Sequence, residues 1–252
     1  MKVLGIDLGS RTLKWALFED KSLKEFEVQE SGYNPGEKAR VVVEKLKPDK
    51  IVATGYGRYL AKELFGAEVI TEIKAHALGA RFFAPEIRTI IDIGGQDSKV
   101  IKLDHEGKVA QFLMNEKCAA GTGRFLEVMA MSLGLSLEEM ASIPPVKENP
   151  LKIGSMCTVF AESEVISLRH KGLPLEQIVT AIYSSILDRI LAMLARINPE
   201  EPFYFSGGVA KNWAFRTLLE GALGTKLKVT KYPEITGAVG CALYALSSSP
   251  SS

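Results

Sequence analysis

The chain has 252 residues, 46% hydrophobic and 24% charged, which supplies core for one large domain or two modest ones and excludes a disordered protein. Its 31 Lys and Arg against 30 Asp and Glu leave a formal charge of +1, which excludes a broad basic surface for nucleic acid or an anionic membrane. Three cysteines argue against a disulfide framework; no secretory segment precedes the first strand and no stretch approaches about 20 apolar residues, so a cytoplasmic protein is expected.

The first strand, Lys2-Val3-Leu4-Gly5-Ile6, runs into Asp7-Leu8-Gly9-Ser10-Arg11-Thr12-Leu13-Lys14 and then Trp15-Ala16-Leu17-Phe18. Two apolar runs around a glycine turn predict a β-hairpin with Asp7 at the end of its first strand. A helix over 36–46 closes on Lys47-Pro48-Asp49, and a strand at Ile51-Val52-Ala53 leaves through Thr54-Gly55-Tyr56-Gly57-Arg58 into a helix over 59–65. Strand, glycine turn and helix in that order form an α/β unit that lines a cleft. A small-residue helix over 75–83 ends at Pro85, and the opening pattern then recurs: Asp92-Ile93-Gly94-Gly95-Gln96-Asp97-Ser98-Lys99, between Thr89-Ile90-Ile91 and Val100-Ile101. Asp, Gly and Lys repeat in the same register, which predicts two related halves. Glycine turns let backbone N–H groups approach an anion closely, and Ser10, Arg11, Thr12 and Gln96, Asp97, Ser98 add side-chain contacts. Two such hairpins face to face would clamp the phosphates of a nucleotide.

After a turn at 104–107 the chain runs to Asn115 and becomes helical. The stretch 122–133 places Phe125, Val128, Met129 and Ser132 on one face, and 159–169 and 175–197 show similar core-facing stripes, separated from the first by a proline-marked loop over 142–145. Phe203-Tyr204-Phe205-Ser206-Gly207-Gly208 reads as a strand entering a glycine pair that opens a helix, whose N-terminus suits a nucleotide. The tail Ser247–Ser252 is low-complexity and reads as disordered. No Walker-type loop occurs and Gly121-Thr122-Gly123 lacks the context of a dinucleotide fingerprint, so the nucleotide expectation rests on the paired hairpins.

Cys118 and Cys157 each precede a predicted helix, where free N–H groups and the positive end of the dipole stabilise a thiolate and its metal complexes. Cys241 sits in an apolar helical run and reads as core. Two cysteines cannot complete a four-thiolate site, but a two-fold dimer could bring four together at its axis. Two unrelated cysteines remain the alternative.

Asp92-Ile93-Gly94-Gly95-Gln96-Asp97, Lys117-Cys118-Ala119-Ala120-Gly121-Thr122-Gly123-Arg124-Phe125, Cys157-Thr158-Val159-Phe160-Ala161-Glu162-Ser163-Glu164-Val165 and Ser206-Gly207-Gly208-Val209-Ala210 together closely resemble the ATP-dependent activators of 2-hydroxyacyl-CoA dehydratases and the related ATPase subunits of benzoyl-CoA reductases, the BcrAD/BadFG-type ATPases. The likeness runs from Val3 to Ala245. It implies an α/β fold of the actin, sugar-kinase and heat-shock-chaperone type, with two duplicated α/β domains around an ATP cleft. The expected domains are 1–68, completed by a C-terminal helix at about 234–248, and 69–233, which carries the cysteines. By the motif match, Cys118 and Cys157 would ligate one [4Fe-4S] cluster bridging a homodimer. Asp7, Gly9, Ser10, Arg11 and Lys14 would form the first phosphate loop, Asp92, Gly94, Gly95, Gln96 and Asp97 the second, and Gly207 and Gly208 would sit under the adenosine of ATP or ADP. Asp7 and Asp92 suit Mg²⁺ held through water, and Gln96, with Asp97 beside it, is the candidate for positioning the attacking water.

The implied activity is ATP-gated transfer of one electron from a ferredoxin or flavodoxin to a partner iron-sulfur enzyme, a dehydratase or a double-cubane-cluster reductase. The helices after Cys118 and Cys157 would act as levers between cleft and cluster. Oxygen sensitivity is expected, and neither nucleic acid nor a membrane is an expected partner. One departure from the family's pattern is Ala75, where a cysteine often precedes the histidine; that cysteine is not needed for four bridging ligands, and His76 is read as structural. The competing readings are a small-molecule kinase of the same fold without a cluster, with Asp97 as base, and a nucleotide-dependent assembly protein.

Overall fold

The computed structural model describes residues 1–154 and 157–248. Three strands open the chain, β1 (Lys2–Leu8), β2 (Thr12–Glu19) and β3 (Ser22–Glu30), followed by α1 (Pro35–Leu46), β4 (Lys50–Thr54), α2 (Arg58–Phe65) and β5 (Glu68–Val69). They form a sheet in the order β3-β2-β1-β4-β5, with β1 antiparallel to β2 and parallel to β4. The helix α3 (Glu72–Phe83) leads to β6 (Thr89–Ile93), β7 (Ser98–Leu103) and β8 (Val109–Asn115). Four helices follow: α4 (Gly123–Leu133), α5 (Leu137–Ser142), α6 (Thr158–His170) and α7 (Leu175–Ile197). β9 (Phe203–Ser206) then completes a second sheet, β8-β7-β6-β9, parallel to β6, before α8 (Trp213–Leu223) and α9 (Thr236–Ser247). The duplication seen in the sequence is thus a duplication of topology, a hairpin whose first strand also pairs in parallel with a later one.

Both faces of each sheet are covered, so the central strands are apolar throughout rather than alternating. Leu4 and Ile6 of β1 pack with Ala39 and Val42 of α1 and Ala61 of α2, while Val3 joins Val52, Ala238 and Val239 on the opposite face. In the second sheet Ile91, Val100 and Phe205 face the core built by α4 and α6 to α8, and Ile90, Ile101 and Tyr204 face Ala77 and Ala80 of α3. α9 and α3 therefore lie between the two sheets. They pack backbone to backbone: a Cβ on Gly79 would stand 1.9 Å from the Thr236 carbonyl, and one on Gly240 1.8 Å from that of Ala75.

Several expectations change. α7 is long and apolar enough, by length and composition, to cross a membrane, although no stretch was expected to approach that. Its Ile178, Ile182, Ile186, Ile190, Leu194 and Ile197 line the second core, which accounts for the apolar length. On α4 the buried set is Phe125, Leu126, Met129, Ala130 and Leu133; Val128 and Ser132 lie at its margin, because Ser132 turns to the α6 residue Glu162, 3.1 Å away. The glycine pair does not open an α-helix directly: a 3-10 turn, Gly208–Lys211, intervenes before α8. Ser247 ends α9 and Ser248 accepts from Lys50 Nζ at 2.7 Å, so neither belongs to a disordered tail; Ser249 to Ser252 lie outside the described residues.

Candidate nucleotide cleft

The two hairpins share their register. Asp7 stands opposite Lys14, and Asp92 opposite Lys99. Each turn closes with the same bond, Gly9 N–H to the Thr12 carbonyl at 3.1 Å and Gly94 N–H to the Asp97 carbonyl at 2.9 Å. In the parallel direction Asp7 pairs with Thr54 and Asp92 with Ser206, and each of those strand ends is followed by a glycine in the left-handed region, Gly55 (φ 89°) and Gly207 (φ 85°). A side chain at either glycine would strike the neighbouring strand end, Leu8 or Ile93. The hairpins and the Gly207-Gly208 turn face one another across a cleft of about 960 Å³. Asp7, Gly9, Ser10, Arg11, Lys14, Asp92, Gly94, Gly95, Gln96, Asp97, Gly207 and Gly208 all line it.

At its floor lies a buried charge cluster. Asp92 accepts from Ser206 Oγ at 2.7 Å and Lys99 Nζ at 3.2 Å, and His76 Nδ1 stands 3.3 Å from its Oδ1. Burial alone would raise the Asp92 pKa, but the charges of His76 and Lys99 and the two hydrogen bonds hold it well below the usual carboxylate range. Lys99 also pairs with Asp97 at 2.5 Å and Glu72 at 3.0 Å. Against its own burial, those three carboxylates raise the lysine pKa well above its ordinary value. The first hairpin holds less: Lys14 Nζ meets Asp7 Oδ2 at 3.1 Å and still faces the cleft.

The cleft is also tied to α4. The N–H groups of Gly123 and Arg124, free donors at a helix start, bond the carbonyls of Gly94 and Gly95 at 2.9 and 2.8 Å. From the opposite hairpin, Arg11 packs over Gly95 and reaches Glu127 Oε1 at 2.7 Å. Across the cleft mouth, Lys211 pairs with Glu234, and Asn212 caps α8 through Phe215 N–H.

The cysteines do not line the cleft. Cys118 lies in the turn between β8 and α4, half-buried, with Asn115 Nδ2 donating to its carbonyl at 3.0 Å. It precedes α4, as expected, but by five residues, and the first N–H groups of that helix are spent on Gly94 and Gly95 rather than left free for the thiol. Cys157 is exposed and is the N-cap residue of α6; the two residues before it, Ser155 and Met156, lie outside the described residues. Cys241 is buried in α9, as expected, where burial and the charges of Asp7 and Glu72 push its thiol up. Among the described residues, no group of three or more His, Cys, Asp or Glu is placed to hold a metal ion.

Sequence reasoning left out Glu72, Ser206 and Glu127 and took His76 as structural. The signal for the first and last was there: α3 begins at Glu72, three residues before the predicted start, and the four-residue spacing puts Glu72 and His76 on one helical face.

The model of the BadF/BadG/BcrA/BcrD ATPase family matches residues 4–245. The chain belongs to this family. Its membership makes it an ATP-hydrolysing enzyme. The chain is 41% identical to the 2-hydroxyisocaproyl-CoA dehydratase activator of Clostridioides difficile, over 97% of this chain and 95% of that one. A solved structure of the activator of the 2-hydroxyisocaproyl-CoA dehydratase from Clostridium difficile, with bound ADPNP, superposes with a TM-score of 0.89 at 40% identity, covering 98% of this ATPase and 95% of that chain. A glucokinase of the ROK family from Streptomyces griseus, 13% identical with a TM-score of 0.58 over 97% and 99% of the two chains, shares the fold alone. The fold is the one expected, that of the actin, sugar-kinase and heat-shock-chaperone ATPases.

Proposed function

We propose that this ATPase is an ATP-dependent activator that passes single electrons to a partner iron-sulfur enzyme, a 2-hydroxyacyl-CoA dehydratase or a related double-cubane-cluster reductase, and that it works as a homodimer sharing one [4Fe-4S] cluster. The relatives named as dehydratase activators support the activator role. The observation that carries the electron-transfer reading is the path from cleft to thiol: the second phosphate hairpin is hydrogen-bonded through Gly94 and Gly95 to the first turn of α4, and Cys118 is in the loop that feeds it.

The residues fit the group. Cys118 is half-buried and Cys157 exposed, on segments that enter two helices packed together through Ser132, Glu162 and Arg169. Two thiols per chain make half of a four-thiolate site, so a second copy must complete it. When bound, such a cluster stores one electron at low potential and gives it to the partner. Ferredoxin or flavodoxin is the proposed donor and the cytoplasm the proposed compartment. In the cleft, Asp7 and Asp92 would hold hydrated Mg²⁺, Lys14 and the turns at Gly9 and Gly94 the phosphates, and Gly207 and Gly208 the adenosine. Gln96, exposed at its turn beside Asp97, would orient the attacking water. Residues 1–68 with α9 form one domain and 69–233 the other, so closure of the hairpins on a triphosphate would be felt at α4 and α6.

Iron and acid-labile sulfide on anaerobically purified protein, with its mass in solution, test this reading. Four of each per dimer are expected, lost in air, lost in Cys118→Ser and Cys157→Ser, and kept in Cys241→Ala. A monomer that stays iron-free after anaerobic reconstitution would instead favour the small-molecule kinase.

A further inference from the structure

Among the polar groups at the floor of the cleft that neither phosphate hairpin supplies, His76 of α3 is the one without a hydrogen bond in the described residues. His76 is 6% exposed, and its Nδ1 makes no hydrogen bond although Asp92 Oδ1 lies 3.3 Å away. Its other ring nitrogen faces the opposite half. A Cβ placed on Gly237 would stand 3.3 Å from His76 Nε2 and 3.2 Å from Asp7 Oδ2, so the imidazole and the Asp7 carboxylate flank the small gap left by that glycine. The ring thus stands between the paired aspartates of the two halves, and it cannot move far. His76 follows Ala75, whose carbonyl abuts Gly240, and precedes Gly79, which abuts the Thr236 carbonyl. Both contacts are backbone against backbone, between the two helices that separate the sheets. A side chain held this firmly, buried without a hydrogen bond, is poorly explained as packing alone.

We infer that His76 is a positioning residue that sets the spacing and orientation of Asp7 and Asp92 across the cleft floor. The carboxylates that would carry hydrated Mg²⁺ come from separate sheets, and no direct contact between them fixes their relation. The imidazole supplies it, with Nδ1 toward Asp92 and Nε2 toward the Gly237 gap and Asp7. Residues that orient carboxylate ligands in this way tune metal affinity without touching the metal. The inference deepens the Mg²⁺ part of the proposed site and is independent of the cluster, because its test needs neither iron nor a partner.

The test is equilibrium binding of ADP to the purified protein, with Mg²⁺ and with excess chelator, read alongside the thermal unfolding midpoint. His76→Ala should weaken ADP binding about tenfold in Mg²⁺ and leave binding in chelator unchanged. His76→Asn, which returns a donor near the Nδ1 position, should recover part of the loss. Gly237→Ala leaves His76 in place and puts a methyl group into the gap; it should show the same Mg²⁺-selective loss without a lower midpoint. Equal weakening with and without Mg²⁺, together with a lower midpoint in both His76→Ala and Gly237→Ala, would make His76 a packing residue and overturn the inference. Wild-type Mg²⁺ dependence in both variants would overturn it too. If the wild-type protein bound ADP no better with Mg²⁺ than without, the Mg²⁺ assignment of Asp7 and Asp92 would fail first, and that result is read on the wild type alone.

Discussion

The two hairpins are the same device built to different stiffness. Both set an aspartate opposite a lysine across a four-residue glycine turn, and both lean on a strand that ends in a left-handed glycine. Lys14 has one carboxylate partner and faces the cleft, whereas Lys99 is buried among Glu72, Asp92 and Asp97 with its side chain 2% exposed. The attachments to α4 differ as well. The second hairpin is held by two backbone hydrogen bonds, the first, among the described residues, by the side-chain pair Arg11–Glu127. A buried cluster with every charge paired is rigid because the loss of any member strands the others, while a single pair whose lysine still lines the cleft has fewer partners to strand. The second hairpin is accordingly the stiffer one, tied to the first turn of α4, and on the proposed function the first is the part that would answer a phosphate.

Exchanging the lysines one at a time breaks the comparison most sharply. Lys99→Met should destabilise the protein by about 3–5 kcal/mol, because three carboxylates lose their shared cation in a buried site. Lys14→Met should cost less, about 1–3 kcal/mol of stability, because it strands one buried carboxylate, Asp7, rather than three. Its effect should also appear as roughly a 10- to 100-fold loss of nucleotide affinity, the worth of one charge-assisted hydrogen bond of about 1.5–3 kcal/mol. Urea unfolding paired with ADP binding separates the two, and equal unfolding free energies for both variants would mean that the hairpins are alike in stiffness.

Acid should sharpen the same contrast. The folded pKa of Asp92 lies below its unfolded value, so its contribution is complete above the ordinary aspartate value of about 3.9 and is lost as pH falls through the depressed folded one. Lys99 is the opposite case: its raised pKa keeps its contribution complete below the ordinary lysine value of about 10.4, losing it only as pH rises through the higher folded value. Unfolding free energy should therefore hold near neutrality and drop toward acid in the wild type, and an Asp92→Asn variant should show a shallower drop. Superimposable acid limbs would remove Asp92 from the account.

The hairpins were legible because an antiparallel turn of fixed length converts sequence spacing directly into contact: Asp and Lys seven apart around a four-residue turn must face each other. The same repetition predicted two related halves, while the fold itself was what the family resemblance implied. What local pattern could not show was which lysine is buried, since Glu72 and Asp97 reach Lys99 only once α3 is packed between the sheets. The spacing put His76 on one helical face with Glu72 but did not show what it meets, because Asp92 and Gly237 come from β6 and α9. The shortest helix, α5, was a different kind of miss. Its capping box, Ser136 with Glu139, is written in the sequence but was overshadowed by the prolines that follow.

The smallest expected effect concerns the side-chain tie of the first hairpin. Glu127 accepts from Arg11 at 2.7 Å and from Arg124 at 3.0 Å, and the arginines are nearly half exposed, so the pairs contribute little to stability. Glu127→Gln should change unfolding free energy by under about 0.5 kcal/mol. It should nevertheless release Arg11 from α4, leaving the guanidinium free to meet a phosphate. On the proposed function a nucleotide would compete with Glu127 for that arginine, so ADP should bind slightly tighter in the variant at low salt, and the difference should fade as salt screens the exposed charges. A stability loss above about 2 kcal/mol would show instead that this contact anchors the first hairpin as firmly as backbone hydrogen bonds anchor the second, and the asymmetry between the halves would then rest on the lysines alone.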